Sequence, residues 1–258
     1  MSDAYTLHPF DEALVARFVQ AVLGEAPPES AAPAAPDWSR QTIAAAQRGY
    51  AAALTGNEAG ANAVTAAFAR VAATEQPTFY LPDAGLTVWE ARIDRGIGML
   101  LRPPSRLFGD AGLATPAARA MPIRLDPAGG VMGGAFIPAR LVPDLQRLLD
   151  AKAERLVRRL LEAELDGVAL LGQMMTAADY AAARGFGLFE AADAIVPEAP
   201  AASAPGVRLV EPGRKRLAPE LRKRLEAAAK PPKRPGVIGR LFGRGKPAPT
   251  APPPVPDE

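Results

Sequence analysis

Cysteine is missing from the chain and histidine nearly so, with His8 standing alone. The first absence removes disulfides, thiolate nucleophiles and Cys-ligated metal sites, and fits a reducing compartment. The second removes zinc sites built on several imidazoles. No apolar run approaches the roughly 20 residues that a membrane-spanning helix needs. The first five residues, Met-Ser-Asp-Ala-Tyr, lack the basic-then-apolar order of a signal peptide. The expectation is a cytoplasmic protein, with peripheral contact at the inner face of a membrane left open. No cofactor or metal pattern is found, and none is expected.

Proline is abundant instead, with 28 residues, many of them in two Pro/Ala-rich stretches, 26–36 and 196–258. Such stretches offer little apolar surface to offset the entropy of ordering them. The expected division is a short N-terminal helix over 1–24, a Pro/Ala-rich linker over 25–37, a core domain over 38–196, and a disordered basic and Pro-rich tail over 197–258 with short helical or amphipathic segments.

The strongest periodic segment runs from Pro138 to Gly185. Leu141, Leu145, Leu148, Leu149, Leu156, Leu160 and Leu161 recur at helical spacing, with Arg147, Glu154, Arg155, Arg158, Glu162 and Glu164 between them. That period predicts an amphipathic helix over about 138–166, whose apolar stripe is a candidate for homo-oligomer formation. A new helix is expected to open at Thr176 and stop at Gly185. Upstream, the spacing predicts helices over about 39–54, capped by Asp37 or Ser39, and about 62–73. Alternation over Thr87–Ile93 and an apolar run over 96–101 predict a hairpin turning at Asp94–Gly96, with further strands at Thr78–Leu81 and Met121–Leu125. The fold class is therefore α+β, with helices packed on a small antiparallel sheet, Pro/Ala-rich disordered linkers and a basic C-terminal tail.

Charge is divided unevenly along the chain. Between Arg208 and Lys246 there are thirteen Lys or Arg against three Glu, a net of +10, while the preceding 207 residues carry a net of −6. Clustered positive charge attracts phosphates and acidic surfaces. The candidate interaction residues are Arg214, Lys215, Arg216, Arg222, Lys223, Arg224, Lys233, Arg234, Ile238, Arg240, Leu241, Phe242, Arg244 and Lys246. In the first six, Leu221 and Leu225 share one side of a basic helix. In the last six, apolar bulk is interleaved with charge, the composition of a short interfacial anchor or of a segment that fits a partner's groove. Phe242 is the only aromatic of the tail, so a stacking platform for single-stranded nucleic acid is poorly supported.

Two further constellations are weaker. Gly129–Gly130 and Gly133–Gly134 precede the long helix, but no Gly-Lys-Ser or Gly-Lys-Thr follows, so they read as tight turns or close backbone approach. Asp83, Glu90, Asp94, Asp110 and Asp126 are carboxylates near the expected sheet, and Arg92, Arg95, Arg102 and Arg124 are candidate anion ligands. The sequence favours a non-catalytic interaction or scaffolding protein whose basic tail engages an acidic protein or an anionic membrane. The alternatives are a small carboxylate/arginine enzyme acting on an anionic substrate and a nucleic-acid-binding accessory protein. An enzyme requires at least two of the named carboxylates to converge in one pocket.

Overall fold

The computed structural model describes residues 4–123 and 132–230. Its centre is a five-stranded, mostly antiparallel sheet in the order β3-β4-β1-β2-β5. The strands are β1 (Ala4–Phe10), β2 (Thr78–Pro82), β3 (Met132–Ile137), β4 (Gly187–Ala192) and β5 (Leu209–Val210). Only β5 runs parallel to its neighbour, β2. The α+β class is therefore as expected. Among the described residues of 78–125, expected to build the sheet, β2 is the one strand found; β1 precedes it, β3 leads into the long helix, and β4 and β5 follow that helix.

Helices cover both faces. On one lie α1 (Glu12–Leu23), α2 (Pro36–Ala53) and α3 (Glu58–Glu75), with α3 against the sheet. Phe10, Phe136, Phe189 and Ala191 meet Phe18, Phe68 and Phe108 there in an aromatic core. On the other lie α7 (Val142–Glu162) and α8 (Gly167–Ala182), with α8 against the sheet and α7 against α8. Tyr5, Leu7, Phe79, Leu81, Ile137 and Leu188 face this side, joined by Leu145, Leu149, Leu156 and Leu160 of α7. The alternation of strand side chains thus feeds two cores. The apolar stripe of α7 is turned inward, and the residues it leaves outside are mostly charged.

Several expected elements differ. Thr87–Ile93 is helical: α4 (Leu86–Val88) widens into a π-turn over Trp89–Ile93, closed by the Asp94 amide donating to the Trp89 carbonyl at 2.8 Å. Leu86, Trp89 and Ile93, spaced by three and four, are its buried apolar members, while Ala91, which an alternating strand would bury beside Trp89 and Ile93, is exposed. Residues 97–99 form a 3-10 turn in place of a second hairpin strand. Thr176 lies inside α8 with its hydroxyl donating to the Gly172 carbonyl at 2.6 Å, and the helix is capped ten residues earlier by Asp166. Gly185 does follow the helix end, with φ +66°.

The expected linker is partly ordered. Pro28–Ala31 form a 3-10 turn, Ala31 and Ala32 are buried, and the Ser39 hydroxyl accepts from the Ala32 amide and donates to the Pro28 carbonyl. Ser39 therefore ties this turn to α2 and does not cap the helix, which begins at Pro36. Where α2 crosses α3, a β-carbon on Gly49 would stand 2.7 Å from the Gly60 carbonyl, so the two backbones approach where side chains are absent.

The part of the expected tail that is described is also structured. It contains α9 (Pro200–Ser203), β5, a 3-10 turn over Arg214–Arg216, and α10 (Pro219–Ala228). Two sources of order outweigh its composition. Strand β5 pairs with the edge of β2, and Leu217 and Leu225 are buried against α7 and α8. The remaining short helices, α5 (Pro104–Asp110) and α6 (Thr115–Arg119), close the aromatic core near Phe108 and Ala117.

Candidate anion-binding surface

Where the π-turn ends against α7, charge gathers around one buried carboxylate. The side chain of Asp94 is 3% exposed. Its Oδ1 accepts from Lys152 Nζ at 2.8 Å and from the Gly96 amide at 2.8 Å. Its Oδ2 stands 3.9 Å from the Arg155 guanidinium and accepts no hydrogen bond among the described residues. Burial works to raise the Asp94 pKa. The hydrogen bonds from Lys152 and Gly96, with the charges of Lys152 and Arg155, outweigh it and hold the carboxyl below its ordinary range. A β-carbon on Gly96 would lie 2.7 Å from Asp94 Oδ1 and 2.9 Å from Lys152 Nζ, so a side chain there would displace this pair.

Above this pair opens a pocket of about 330 Å³ lined by residues 90–96 with Lys152, Arg155 and Arg159. Five cationic side chains, Arg92, Arg95, Lys152, Arg155 and Arg159, face two carboxylates, Glu90 and Asp94. The pocket is positive, and with Asp94 already neutralised by Lys152 the guanidinium groups dominate its rim. Arg92 and Arg95 are exposed and form no ion pair among the described residues, while Arg159 lies 3.7 Å from Glu162.

The sequence candidates thus separate. Glu90, Asp94, Arg92 and Arg95 come together in this pocket. Arg102 is a correction: its guanidinium donates to the Met99 and Leu101 carbonyls and is spent on the backbone. Asp110 sits on α5 at 3.9 Å from Arg106. Asp83 lines a separate cleft of about 570 Å³ with Glu164, Asp166, Glu198 and Glu211. Arg124 and Asp126 lie outside the described residues. Lys152, Arg155 and Arg159 escaped the sequence reading because on α7 they count only as the polar side of an amphipathic helix.

The basic segment packs on α7 and α8 through α10 and, among the described residues, contributes none to this pocket. In α10, Leu225 is buried and Leu221 partly so, as their shared side predicts, while Lys223 and Arg224 are exposed and Arg222 is half-buried. Arg224 pairs with Glu154 of α7 at 2.9 Å, and Arg214 pairs with Asp166 at 3.1 Å. Two cations of the basic segment are thus already matched to carboxylates of the core. Lys215 and Arg216 belong to the 3-10 turn before α10. Lys233, Arg234, Ile238, Arg240, Leu241, Phe242, Arg244 and Lys246 lie outside the described residues.

Two titratable groups are buried in the sheet itself, the lone histidine His8 and Glu190, and neither was a candidate site residue. The signal for Glu190 was a single carboxylate inside the apolar run 186–192. Gly133 and Gly134 are in β3, and a β-carbon on Gly134 would stand 2.4 Å from Glu190 Oε2, the close backbone approach that the glycine pairs predicted. Trp89 and Met174 are core residues. No described helix is long and apolar enough to cross a membrane, and no cluster of metal-ligating side chains occurs among the described residues. No protein-family model, curated protein or solved structure matches the chain.

Proposed function

We propose that this chain is a non-catalytic interaction protein that engages an anionic surface, an acidic protein or an anionic membrane, through the basic segment that begins at Arg214. The observation that carries the reading is the seating of α10. Its leucines are held by α7 and α8, so its cations, and the Lys/Arg-rich residues that follow, are presented from a fixed root on a folded body. Such a root reduces the entropy lost on docking relative to a free basic tail.

The test is sedimentation of the full chain with anionic vesicles, neutral vesicles and duplex DNA at low and high salt. The expected result is retention by anionic vesicles that weakens with salt without vanishing. Replacing Ile238, Leu241 and Phe242 with Ser should abolish the salt-resistant part. Equal binding to neutral vesicles, or preference for DNA, counts against the reading, and binding to none of the three leaves the acidic-protein branch alone.

The enzymatic alternative has one observation in its favour, the convergence of Glu90 and Asp94 in one pocket. Asp94, however, is pinned as a carboxylate by Lys152 and the Gly96 amide. A group held below the ordinary range is poorly matched to proton transfer near neutral pH, so the arrangement favours binding over catalysis.

A further inference from the structure

We infer that the pocket between the π-turn and α7 is a binding site for the phosphoryl group of a small phosphate monoester. Four guanidinium groups, those of Arg92, Arg95, Arg155 and Arg159, line it without a hydrogen bond to the protein among the described residues. Guanidinium donors in a fork suit the several acceptor oxygens of a phosphoryl group, and two or more around one cavity suit a dianion. The buried Asp94 organises the site. One oxygen fixes Lys152 and the Gly96 amide, and the other faces Arg155 at 3.9 Å, close enough to hold the guanidinium by charge while leaving its donors open. The cavity, about 330 Å³, is at the small end of the roughly 300–1,000 Å³ typical of ligand sites. Among the described residues no aromatic ring lines it, so they offer no platform for a nucleobase and favour a compact phosphate ester.

This assignment does not depend on the basic segment after Arg214. The phosphoryl group has two natural sources, a soluble ester and a lipid headgroup. Met99, three residues beyond Gly96, is 79% exposed, which would set a large apolar side chain near a bilayer if the group were a headgroup.

The experiment uses the full chain. Binding of glycerol 3-phosphate is followed by titration calorimetry and binding of phosphatidic acid vesicles by sedimentation. Both are repeated for Arg95→Ala/Arg159→Ala, for Arg222→Ala/Lys223→Ala/Arg224→Ala and for Met99→Ser. Arg95 and Arg159 are exposed, so their removal should leave the circular dichroism unchanged. The expected result is saturable binding that the pocket variant weakens by roughly ten- to a hundredfold, the loss expected for charge-assisted hydrogen bonds. In calorimetry the α10 variant should bind as the parent does. Glycerol 3-phosphate binding lost in the pocket variant assigns a soluble ester. Vesicle binding lost in both the pocket variant and Met99→Ser, with no calorimetric signal, assigns a headgroup. Equal binding by parent and pocket variant, or a folded parent that binds neither probe, overturns the site.

Discussion

Among the described residues, one face of the sheet buries an imidazole and the other a carboxyl, and they treat these groups differently. On the α1–α3 face, His8 of β1 has a partner at both ring nitrogens. Thr6 Oγ1 lies 2.9 Å from Nε2 and Thr78 Oγ1 3.3 Å from Nδ1, and the Thr6 hydroxyl also donates to the Ala191 carbonyl. One assignment satisfies all three contacts: Nε2–H donates to Thr6, and the Thr78 hydroxyl donates to Nδ1. On the α7–α8 face, Glu190 of β4 accepts from the Thr87 amide at 3.2 Å through Oε1, while Oε2 has no partner among the described residues. Burial drives both to their neutral forms, the imidazole down to about 3 and the carboxyl up to about 7, the latter against the opposing pull of Thr87. The first face is thus closed in chemistry as well as packing. The second carries an incompletely satisfied acid in its core and the positive pocket at its rim.

The largest effect expected follows from the closed face. Phe68 is fully buried and stacks edge-on with Phe10, Phe18, Phe108 and Phe189 at centroid distances of 5.1 to 5.8 Å. Phe68→Ala should lower unfolding free energy by about 3–5 kcal/mol in urea titration. A loss under about 1 kcal/mol would mean that this core is loose enough to refill the space, and the contrast between the faces would collapse.

Next comes the pH dependence of the other face. Glu190 is held protonated, so its contribution is present in full below its unfolded pKa near 4.5 and is lost as pH rises through about 7. His8 has the opposite sign. Held neutral, it contributes above its unfolded pKa near 6.5, and that contribution is lost as pH falls toward about 3. Between roughly pH 4.5 and 6.5 the two slopes offset each other, so the parent profile alone is uninformative. The difference between the parent and Glu190→Gln isolates the acid. It should shift by about 3 kcal/mol in favour of the variant between about pH 4 and pH 8, measured by denaturant midpoints. A pH-independent difference would show that Glu190 titrates in the folded protein as it does in the unfolded chain, so that its burial is offset by water or by donors.

Helices were the legible part of this fold. The leucine spacing of α7, the stripe of α1 and the Ile43, Ala46, Gly49 and Ala53 side of α2 each mark one buried face, and one buried face leaves a period in the sequence. Helix α3, between α2 and the sheet, is buried nearly all round and was read from its Ala-rich composition. The strand expected at Thr78–Leu81 is β2, but β1 and β4 were not legible, for the converse reason. All seven residues of β1 and all six of β4 are buried, so apolar and polar residues do not alternate and β1 even contains Pro9. The stretch 87–93 carried both periods at once, and only the tertiary burial of Leu86, Trp89 and Ile93 decides between them. Half of the pocket was visible as Glu90, Arg92, Asp94 and Arg95, within six consecutive residues. The other half arrives from α7, 58 residues beyond Asp94 in the case of Lys152, and no local pattern encodes that meeting.

The smallest effects expected come from two ion pairs of nearly equal length, and burial is what separates them. Lys152 Nζ lies 2.8 Å from Asp94, whose side chain is 3% exposed, and Arg224 Nε lies 2.9 Å from Glu154, whose side chain is 49% exposed. Coulomb's law at equal distance would make them equivalent, but water screens the second pair and reaches Glu154 when its partner is removed. Lys152→Ala leaves Oδ1 of Asp94 with the Gly96 amide alone in a site that water barely enters, at a cost of about 1–3 kcal/mol. Arg224→Ala should cost under about 1 kcal/mol and fade with added salt. The same urea titrations at low and high salt measure both. Equal losses would mean that Asp94 is rehydrated once Lys152 is gone, and the pocket floor would then be a wet surface instead of the fixed anchor on which the phosphoryl assignment relies.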